Sequence, residues 1–317
     1  MFEQGEDTGD TPGEYQFWVE REHLDRIIPL PAGYHHVRMN KDGVLGMLTG
    51  VATAKAAASV MAVGLDPRFD LTKSYWVVAG IGGGGPADVS LGSAVWANHV
   101  LDGNIAYEID AREIPADWPT GYVPLLKSKP YEQPAEAVHG EMYTLNQDLV
   151  GWAFQLTRDV PLADSEEMRI ARARFADFPN ARKPPFVLIG DNLASATYWQ
   201  GTRASEWARR WVKLYTKGRG TFTTSSCEDS GFMQAITFLG KAARADPGRV
   251  LILRAASDYC VPRPGVSSAE SLQYGTDKAY IAENEAFDSA YRVGSVVVRE
   301  WVRGWAVYRE HLPGAAP

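Results

Sequence analysis

The stretch Arg249–Pro264 reads RVLILRAASDYCVPRP and begins with the continuous apolar run Val250–Leu253. Such a run is typical of a central strand that is covered on both faces of a sheet. The chain then passes through Arg-Ala-Ala-Ser and reaches a single carboxylate, Asp258. Open α/β sheets bind their ligands just past the carboxyl ends of their strands. Asp258 is therefore either a functional acid or a residue whose side chain caps the next turn.

Other predicted strands also end in polar or glycine-rich segments. The segment YWVVAG (75–80) runs into four consecutive glycines, which allow a backbone to approach a ligand closely. We expect Gly82 and Gly83 to cradle a phosphate or a sugar; the alternative is a flexible connection. No acidic ribose ligand follows at the expected distance, so the pattern argues against a dinucleotide-binding fold. The strand ends that converge are the glycine run 82–85, Asp191-Asn192, Cys227-Glu228 and Asp258.

Strands and helices alternate along most of the chain, which predicts an α/β fold, and the length of 317 residues allows one large domain or two smaller ones. Predicted strands lie at 34–39, 44–48, 75–80, 92–98, 185–190, 221–224 and 250–253. Predicted helices lie at 17–28, 52–63, 141–156, 165–175, 203–215 and 231–243, with one or two closing helices over 279–311. A long loop is expected at 117–133. We expect Trp207 and Trp211, four residues apart on one helix face, to pack in the core rather than to stack on a ligand.

Composition and charge exclude several classes of protein. The 317 residues carry a formal net charge of −7, which argues against binding to nucleic acid. No run approaches the roughly 18 apolar residues of a membrane span. With two cysteines, and with His35 and His36 lacking any recognisable ligand partner, we expect neither a metal nor another cofactor. The acidic opening residues do not form a signal peptide, so we expect a cytoplasmic protein, or a secreted or periplasmic one if an N-terminal segment is missing.

Several of these segments resemble a known superfamily. LRAASDY (253–259) resembles the RAxSD segment of the nucleoside phosphorylase/nucleosidase superfamily, and SSCEDSGFMQAI (225–236) matches the position of its MEG/MEA segment. MFEQGEDTGD, YEIDAREIP and GDNLASATYW are similar to segments of one group within it, the purine nucleoside permeases. This resemblance covers nearly the whole chain and implies a single nucleoside phosphorylase-like α/β domain over residues 1–317, with a central mixed β-sheet flanked by helices. The family has a strand ahead of MFE, so the first strand of this chain is expected to be truncated, misassigned or replaced.

The resemblance also implies a function and a set of site residues. The implied reaction is cleavage of a purine N-glycosidic bond, which requires charge neutralisation on the leaving base and tolerance of an oxocarbenium-like sugar. Asp258 would protonate or hydrogen-bond N7 of the base, and Ser257 would orient it. Glu228, kept ionised, would accept hydrogen bonds from the sugar hydroxyls. The remaining expected positions are Asn192 at the base, Cys227 at the sugar, and Glu3 or Glu6 at the nucleophile.

Water and phosphate remain alternative nucleophiles at this point. Phosphorolysis would need an arginine and hydroxyls at the glycine turn, but residues 79–92 contain no Arg or Lys; Arg38 is a candidate from another strand, although nothing in the sequence shows that it reaches the turn. We therefore expect a soluble purine nucleosidase with Glu3 as the residue that activates water. The alternatives are a phosphorylase and a nucleoside-binding component of a transport system without catalysis. The expected partners are a purine nucleoside, phosphate in the case of a phosphorylase, and further copies of the chain in a homodimer or higher oligomer.

Overall fold

The structure is a computed structural model that describes residues 3, 5–272 and 282–314. Its helices are α1 (Gln16–Arg21), α2 (Thr53–Leu65), α3 (Gln147–Thr157), α4 (Glu166–Ala173), α5 (Thr202–Tyr215), α6 (Asp229–Lys241), α7 (Ser268–Ser271), α8 (Glu283–Arg303) and α9 (Trp305–Tyr308). Its strands are β1 (Arg26–Ile28), β2 (Val37–Met39), β3 (Leu45–Met47), β4 (Trp76–Gly84), β5 (Ala94–Asp102), β6 (Ala106–Glu108), β7 (Tyr122–Pro124), β8 (Met142–Thr144), β9 (Val187–Ala194), β10 (Phe222–Ser226) and β11 (Val250–Tyr259).

A six-stranded mixed sheet with the order β11-β4-β10-β9-β5-β8 forms the centre of the molecule. Strand β11 runs parallel to β4, and β9 runs parallel to both β10 and β5. Strand β5 also pairs antiparallel with β11, which brings Trp96 opposite Leu253 and curls the sheet towards closure. A three-stranded ribbon, β1-β2-β3, and the small pair β6-β7 complete the strands. The predicted α/β fold with a central mixed sheet is therefore confirmed.

Strand β11 lies at the centre of the core, as its apolar run predicts. All of its residues are buried except Asp258, which is half-buried. Helix α8 packs against β11 and β4, while α2 packs against α6. Trp207 and Trp211 are buried in a second cluster of apolar residues, which confirms that they are core residues. The buried strand thus delivers a single partly accessible carboxylate at its carboxyl end.

The glycine run does not form the loop that the sequence predicts after residue 80. Strand β4 instead continues to Gly84, because β10 crosses it there and pairs antiparallel with Gly83 and Gly84. A Cβ atom at Gly82 would lie 2.1 Å from the carbonyl oxygen of Ser225, far inside van der Waals contact. The glycines are therefore required for the close crossing of two strands. Strand β9 likewise continues beyond the predicted end, Gly190, through Asp191 and Asn192.

Two predicted helices are wrong over part of their length. The predicted helix at 17–28 ends at Arg21, because His23 adopts a left-handed backbone conformation (φ 52°), and the chain then enters β1. The predicted helix at 141–156 starts late, because its first residues form the edge strand β8 and Asn146 caps α3. By contrast, Ser165 caps α4 as its sequence predicts. Of the predicted closing segment, residues 279–281 lie outside the described residues.

A cavity of about 730 Å³ separates the ribbon from the central sheet between β3 and β4. Within the described chain, β3 pairs only with β2, and β4 pairs on this side only where it meets β10. Three buried polar atoms on the cavity wall have no hydrogen-bond partner among the described residues: Tyr15 Oη, Trp76 Nε1 and Trp301 Nε1. The cavity also reaches Glu228, at the carboxyl end of the sheet.

None of the helices in the described ranges has the length and apolar character that crossing a membrane requires.

The contact between α2 and α6 generates a stability prediction. A Cβ atom at Gly231 in α6 would lie 2.1 Å from the carbonyl oxygen of Thr53 at the start of α2. We expect Gly231→Ala to lower the free energy of unfolding by about 1–3 kcal/mol, as other overpacked cores do. Gly151→Ala in α3 is the matched control, because no atom lies within 4 Å of its Cβ position, and it should stabilise by about 0.5–1 kcal/mol. Urea unfolding of both variants measures the difference, and equal effects would contradict the packing argument.

Candidate active site

Asp258 lies at the carboxyl end of β11, where the ladder to β4 is irregular. The register shifts between Ala256 and Asp258, so Ser257 occupies a bulge, a feature often found beside active sites. The Ser257 hydroxyl donates to Asp258 Oδ1 at 2.9 Å and also lies 3.4 Å from the carbonyl oxygen of Gly82. Burial raises the pKa of the Asp258 carboxyl to about 6, although the hydrogen bond from Ser257 acts in the opposite direction. Asp258 is therefore a carboxyl group that can hold a proton near neutral pH.

Arg254, four residues earlier on β11, is the cation on which the rest of the site is built. Its side chain is 2% exposed and its guanidinium forms a two-point contact with Asp229 in α6. Its Nη2 atom also donates to Glu228 Oε2 at 2.9 Å, and its Nη1 atom donates to the carbonyl oxygen of Ile81 at 3.0 Å. Burial opposes the charge, but the carboxylates of Asp229 and Glu228 raise the pKa of Arg254 well above its usual value. The buried guanidinium is permanently charged.

Glu14 brings a third carboxylate to this guanidinium. Its Oε1 atom lies 3.7 Å from Arg254 Nη1 and accepts a 2.6 Å hydrogen bond from the backbone N–H of Ile81. A Cβ atom at Gly80 would lie 2.3 Å from the same Glu14 oxygen, so only glycine leaves room for this approach. Burial raises the pKa of Glu14 above its ordinary value. Such a carboxylate accepts a proton more readily than an exposed one.

Glu228 lies between β10 and α6, and its pKa shifts in the opposite direction to those of Asp258 and Glu14. Its Oε2 atom accepts from Arg254, and its Oε1 atom accepts at 3.3 Å from the backbone N–H of Ala52, which precedes α2. Burial alone would raise its pKa, yet the adjacent guanidinium holds the pKa of Glu228 below its ordinary value. The site therefore contains one ionised carboxylate at Glu228 and one readily protonated carboxyl at Asp258.

Cys227 and Tyr198 lie beside this pair of carboxyl groups. The Tyr198 hydroxyl lies near the Cys227 thiol, and the charges of Glu228 and Asp258 both act on Tyr198. Burial and the charge of Glu228 raise the pKa of the Cys227 thiol to about 12, so the thiol is neutral. Tyr198 is 72% exposed, so its ring lies at the mouth of the site.

The other predicted site residues lie in different surroundings. Asn192 is fully buried, and its amide donates to Thr224 Oγ1 and accepts from the Ser226 hydroxyl, so both of its polar ends bind neighbouring side chains of the sheet. Its contact with a base stays a prediction. Gly83 pairs with Asp258 across β4 and β11, with its Cβ position 3.8 Å from Asp258 Oδ1. Gly82 and Gly83 therefore line the site, and their role as a cradle also stays a prediction.

Glu3, the residue expected to activate the nucleophile, binds the start of α1. Its Oε2 atom accepts from the backbone N–H groups of Tyr15 and Gln16 at 3.0 and 2.7 Å. Glu6 is exposed, and its backbone N–H donates to Asp10. The acidic residue of the opening segment that reaches Arg254 is Glu14, which the sequence reading missed. The PGEYQFW segment carries no pattern that marks this glutamate, although Gly80, two residues before the glycine run 82–85, is a position where only glycine permits its approach.

The sequence analysis did not predict Arg254 or Asp229 as site residues, because the first looks like an ordinary strand residue and the second like an ordinary helix residue. A buried arginine in a strand needs a carboxylate partner, so Arg254 was in principle a signal for one. Among the described residues, no cluster of metal-ligating side chains lies at this site. The one such group in the described chain lies elsewhere and contains Asp7, His35 and His36.

Comparison with known proteins places the chain in a family. Residues 1–313 match the family described as purine nucleoside permease (NUP). A probable purine nucleoside permease of Schizosaccharomyces pombe is 28% identical over 293 residues, which cover 89% of this chain and 82% of that protein. A purine nucleoside permease of Candida albicans is 28% identical over 260 residues, which cover 81% of this chain but only 63% of that protein.

Solved structures with the same fold are nucleosidases and a related hydrolase. The 5′-methylthioadenosine/S-adenosylhomocysteine nucleosidase of Helicobacter pylori, bound to butyl-thio-DADMe-Immucillin-A, superimposes with a TM-score of 0.54 at 13% identity, covering 92% of this chain and 96% of that chain. The corresponding nucleosidase of Neisseria meningitidis gives a TM-score of 0.52 at 14% identity, covering 90% and 94%. The futalosine hydrolase of H. pylori gives 0.52 at 12% identity, covering 92% and 96%. These similarities show the fold.

With a family match across nearly its whole length, and with the fold of the nucleoside phosphorylase/nucleosidase group, the chain belongs to the purine nucleoside permease family.

Proposed function

We propose that the protein is a nucleosidase that hydrolyses the N-glycosidic bond of purine ribonucleosides, such as adenosine, inosine or guanosine, to free base and ribose. The observation that carries the proposal is the pair of carboxyl groups with opposite electrostatics at the end of the sheet. Burial raises the pKa of Asp258 to about 6, while Arg254 keeps Glu228 ionised. Pairs of titratable groups whose surroundings push their pKa values apart identify acid and base roles.

Asp258 acts on the leaving base. Near neutral pH it can deliver a proton, or a strong hydrogen bond, to N7 of the purine as the bond between C1′ and N9 breaks. The electron pair of that bond then enters a base whose negative charge has been neutralised. Ser257 orients the carboxyl through Oδ1, which leaves Oδ2 for the base. Asp258 can hold this proton near neutral pH because burial disfavours the carboxylate.

Glu228 acts on the sugar. Its ionised carboxylate can accept hydrogen bonds from the 2′- and 3′-hydroxyls and stabilise the positive charge that develops on the ribose ring. Arg254 and the backbone N–H of Ala52 hold its two oxygens in place before a substrate arrives. A preorganised carboxylate of this kind avoids the cost of reorganisation during the reaction.

Glu14 is the group best placed to activate water. It carries a raised pKa and is positioned by Ile81 and Arg254, so it can take one proton from a water molecule while the oxygen bonds to C1′. The proton lost by water goes to Glu14, and the proton gained by the base comes from Asp258. Base and ribose are the products, and exchange with solvent restores both carboxyl groups.

The charges around Arg254 favour water over phosphate as the nucleophile. Three carboxylates, Glu14, Glu228 and Asp229, surround this one guanidinium, so their net charge would repel a phosphate dianion. Arg38, the other arginine considered for phosphate, donates from Nε to Asp7 Oδ2 at 2.6 Å. A phosphorylase is therefore the second choice.

A non-catalytic nucleoside-binding component of a transport system is a further alternative, because the relatives carry the name permease. Binding alone would use Glu228 and Tyr198 but would not need a carboxyl with a raised pKa at Asp258. An assay of the reaction products separates the nucleosidase, the phosphorylase and the binding protein.

Incubation of the purified protein with inosine or adenosine should release free base and ribose at the same rate with and without inorganic phosphate. Chromatography of the products, with detection of reducing sugar, measures both. Formation of ribose 1-phosphate that depends on phosphate would identify a phosphorylase. Tight nucleoside binding without release of base over hours would identify a binding protein and exclude the proposed hydrolysis.

Replacement of Asp258 by Asn should separate activity from stability. We expect Asp258→Asn to lower kcat by about 10²–10⁴-fold, because the amide cannot donate a proton to the base. At pH 7.5 the free energy of unfolding of the same variant, measured with denaturant, should exceed that of the wild type by up to about 3 kcal/mol. The reason is that a carboxylate with a raised pKa is costly when ionised.

The difference in stability between Asp258→Asn and the wild type should depend on pH. In the folded protein Asp258 binds its proton more tightly than in the unfolded chain, so the wild type loses stability as pH rises from about 4 to about 6. The advantage of Asp258→Asn should therefore vanish near pH 4 and be complete above about pH 7. A stability difference that is independent of pH would show that Asp258 has no raised pKa.

Two glutamates distinguish activation of water from support of the helix. Glu14→Gln should reduce kcat by about 10²–10⁴-fold while nucleoside affinity, measured by calorimetry, changes little. Glu3→Gln should retain kcat and cost about 1 kcal/mol of stability, because its carboxylate caps α1. If instead Glu3→Gln abolished turnover in a stably folded protein, the water would have to be assigned to Glu3.

A further inference from the structure

Three side chains with metal-binding atoms converge outside the candidate active site. Asp7 belongs to the opening loop, residues 5–13, whereas His35 and His36 lie just before β2. The Nε2 atom of His35 lies 2.9 Å from Asp7 Oδ1, and the Nε2 atom of His36 lies 2.9 Å from Asp7 Oδ2. One ligand atom from each of the three residues falls within 4.8 Å of the other two.

The backbone makes this convergence possible. Adjacent residues in a regular strand point to opposite faces, which would separate the two imidazoles. His35 and His36 instead lie in a bend ahead of β2, and their ring centroids are 3.9 Å apart with an angle of 38° between the planes. Both rings therefore present Nε2 to the same carboxylate, although the carboxylate comes from 28 residues earlier in the chain.

His36 has an unused ligand atom. Its Nε2 is shielded from solvent and, despite the short distance to Asp7 Oδ2, is not aligned for a hydrogen bond with any group in the described residues. A hydrogen-bonded cluster would leave no such atom, because a buried polar nitrogen without a partner is costly. A cation shared with His35 and Asp7 would use its lone pair.

We propose that Asp7, His35 and His36 form a binding site for a divalent transition-metal ion, with zinc as the preferred class of ion. Two imidazoles and one carboxylate suit zinc and its first-row neighbours rather than magnesium or calcium, which prefer oxygen ligands. Ligand atoms of a tetrahedral zinc site are about 3.3 Å apart, since each lies about 2.0–2.1 Å from the ion. Small side-chain movements bring the present spacing to that value.

Arg38 fixes how the carboxylate would bind. Its Nε donates to Asp7 Oδ2 at 2.6 Å, so Oδ1 is the oxygen left for a metal, in a monodentate arrangement. Hydrogen bonds from an outer shell of this kind commonly orient the carboxylates that bind metals. Three protein ligands leave the fourth position for water or another small ligand.

The metal would tie the opening loop to the ribbon. Asp7 is a buried residue of this loop, with 6% of its surface exposed. The loop leads directly into Glu14, which contacts Arg254. Occupancy of the site would therefore stabilise the loop ahead of a residue at the candidate active site. This inference is independent of the reaction proposed above.

The test uses the full chain after treatment with EDTA and dialysis. Calorimetric titration with zinc should show one saturable equivalent, and cobalt(II) should give visible absorption bands that zinc displaces. His36→Gln and Asp7→Asn should each weaken zinc binding by at least about tenfold. His311→Gln is the control, because this exposed histidine lies outside the group.

A second measurement uses the wild-type protein and therefore does not depend on whether the variants fold. Zinc at one equivalent should raise the thermal unfolding midpoint of the wild type and reduce proteolysis in residues 5–13. Absence of saturable binding by the wild type, or binding by His36→Gln as tight as that by the wild type, would overturn the proposal. A midpoint that does not respond to zinc would do the same, and would leave Asp7 as the centre of a hydrogen-bonded cluster only.

Discussion

The buried charge of Arg254 is the constraint on which the site depends. A guanidinium that is 2% exposed must be paired, and removal of one partner from such a cluster typically costs 3–5 kcal/mol. Its partners come from two separate parts of the chain: Glu14 before α1, and the adjacent residues Glu228 and Asp229 at the junction of β10 and α6. One side chain on the central strand therefore holds together the opening segment, the sheet and a helix N-terminus.

The same strand creates two different electrostatic environments within four residues. Glu228 shares the guanidinium of Arg254 and stays ionised. Among the described residues, Asp258 has only the Ser257 hydroxyl at hydrogen-bond distance, and it keeps its proton more readily. Burial is common to both carboxyl groups, so the difference comes from the neighbouring cation. This contrast is the physical basis for assigning one group to the sugar and the other to the base.

Family and fold point to different descriptions of the protein. The relatives are named permeases, while the solved structures of the same fold are hydrolases. At 12–14% identity the fold alone does not carry an activity from those structures to this chain. The arrangement of Asp258, Glu228 and Glu14 in this chain supports the hydrolase. The name permease comes from relatives in sequence, and the name hydrolase comes from neighbours in structure.

The sequence by itself determined the α/β class, the buried strand at Val250–Leu253 and the acid at its end, because apolar runs and strand–turn–helix order are local patterns. The resemblance of their segments also led to the prediction of Glu228 and Asp258 as site residues. Only the tertiary structure decided that the glycine run is part of β4, that Glu14 rather than Glu3 reaches Arg254, and that Asp7 meets His35 and His36. Each of these depends on contacts between residues far apart in sequence, such as the crossing of β10 over β4 at Gly83 and Gly84. Local patterns do not encode such contacts, because they arise only when distant segments pack together.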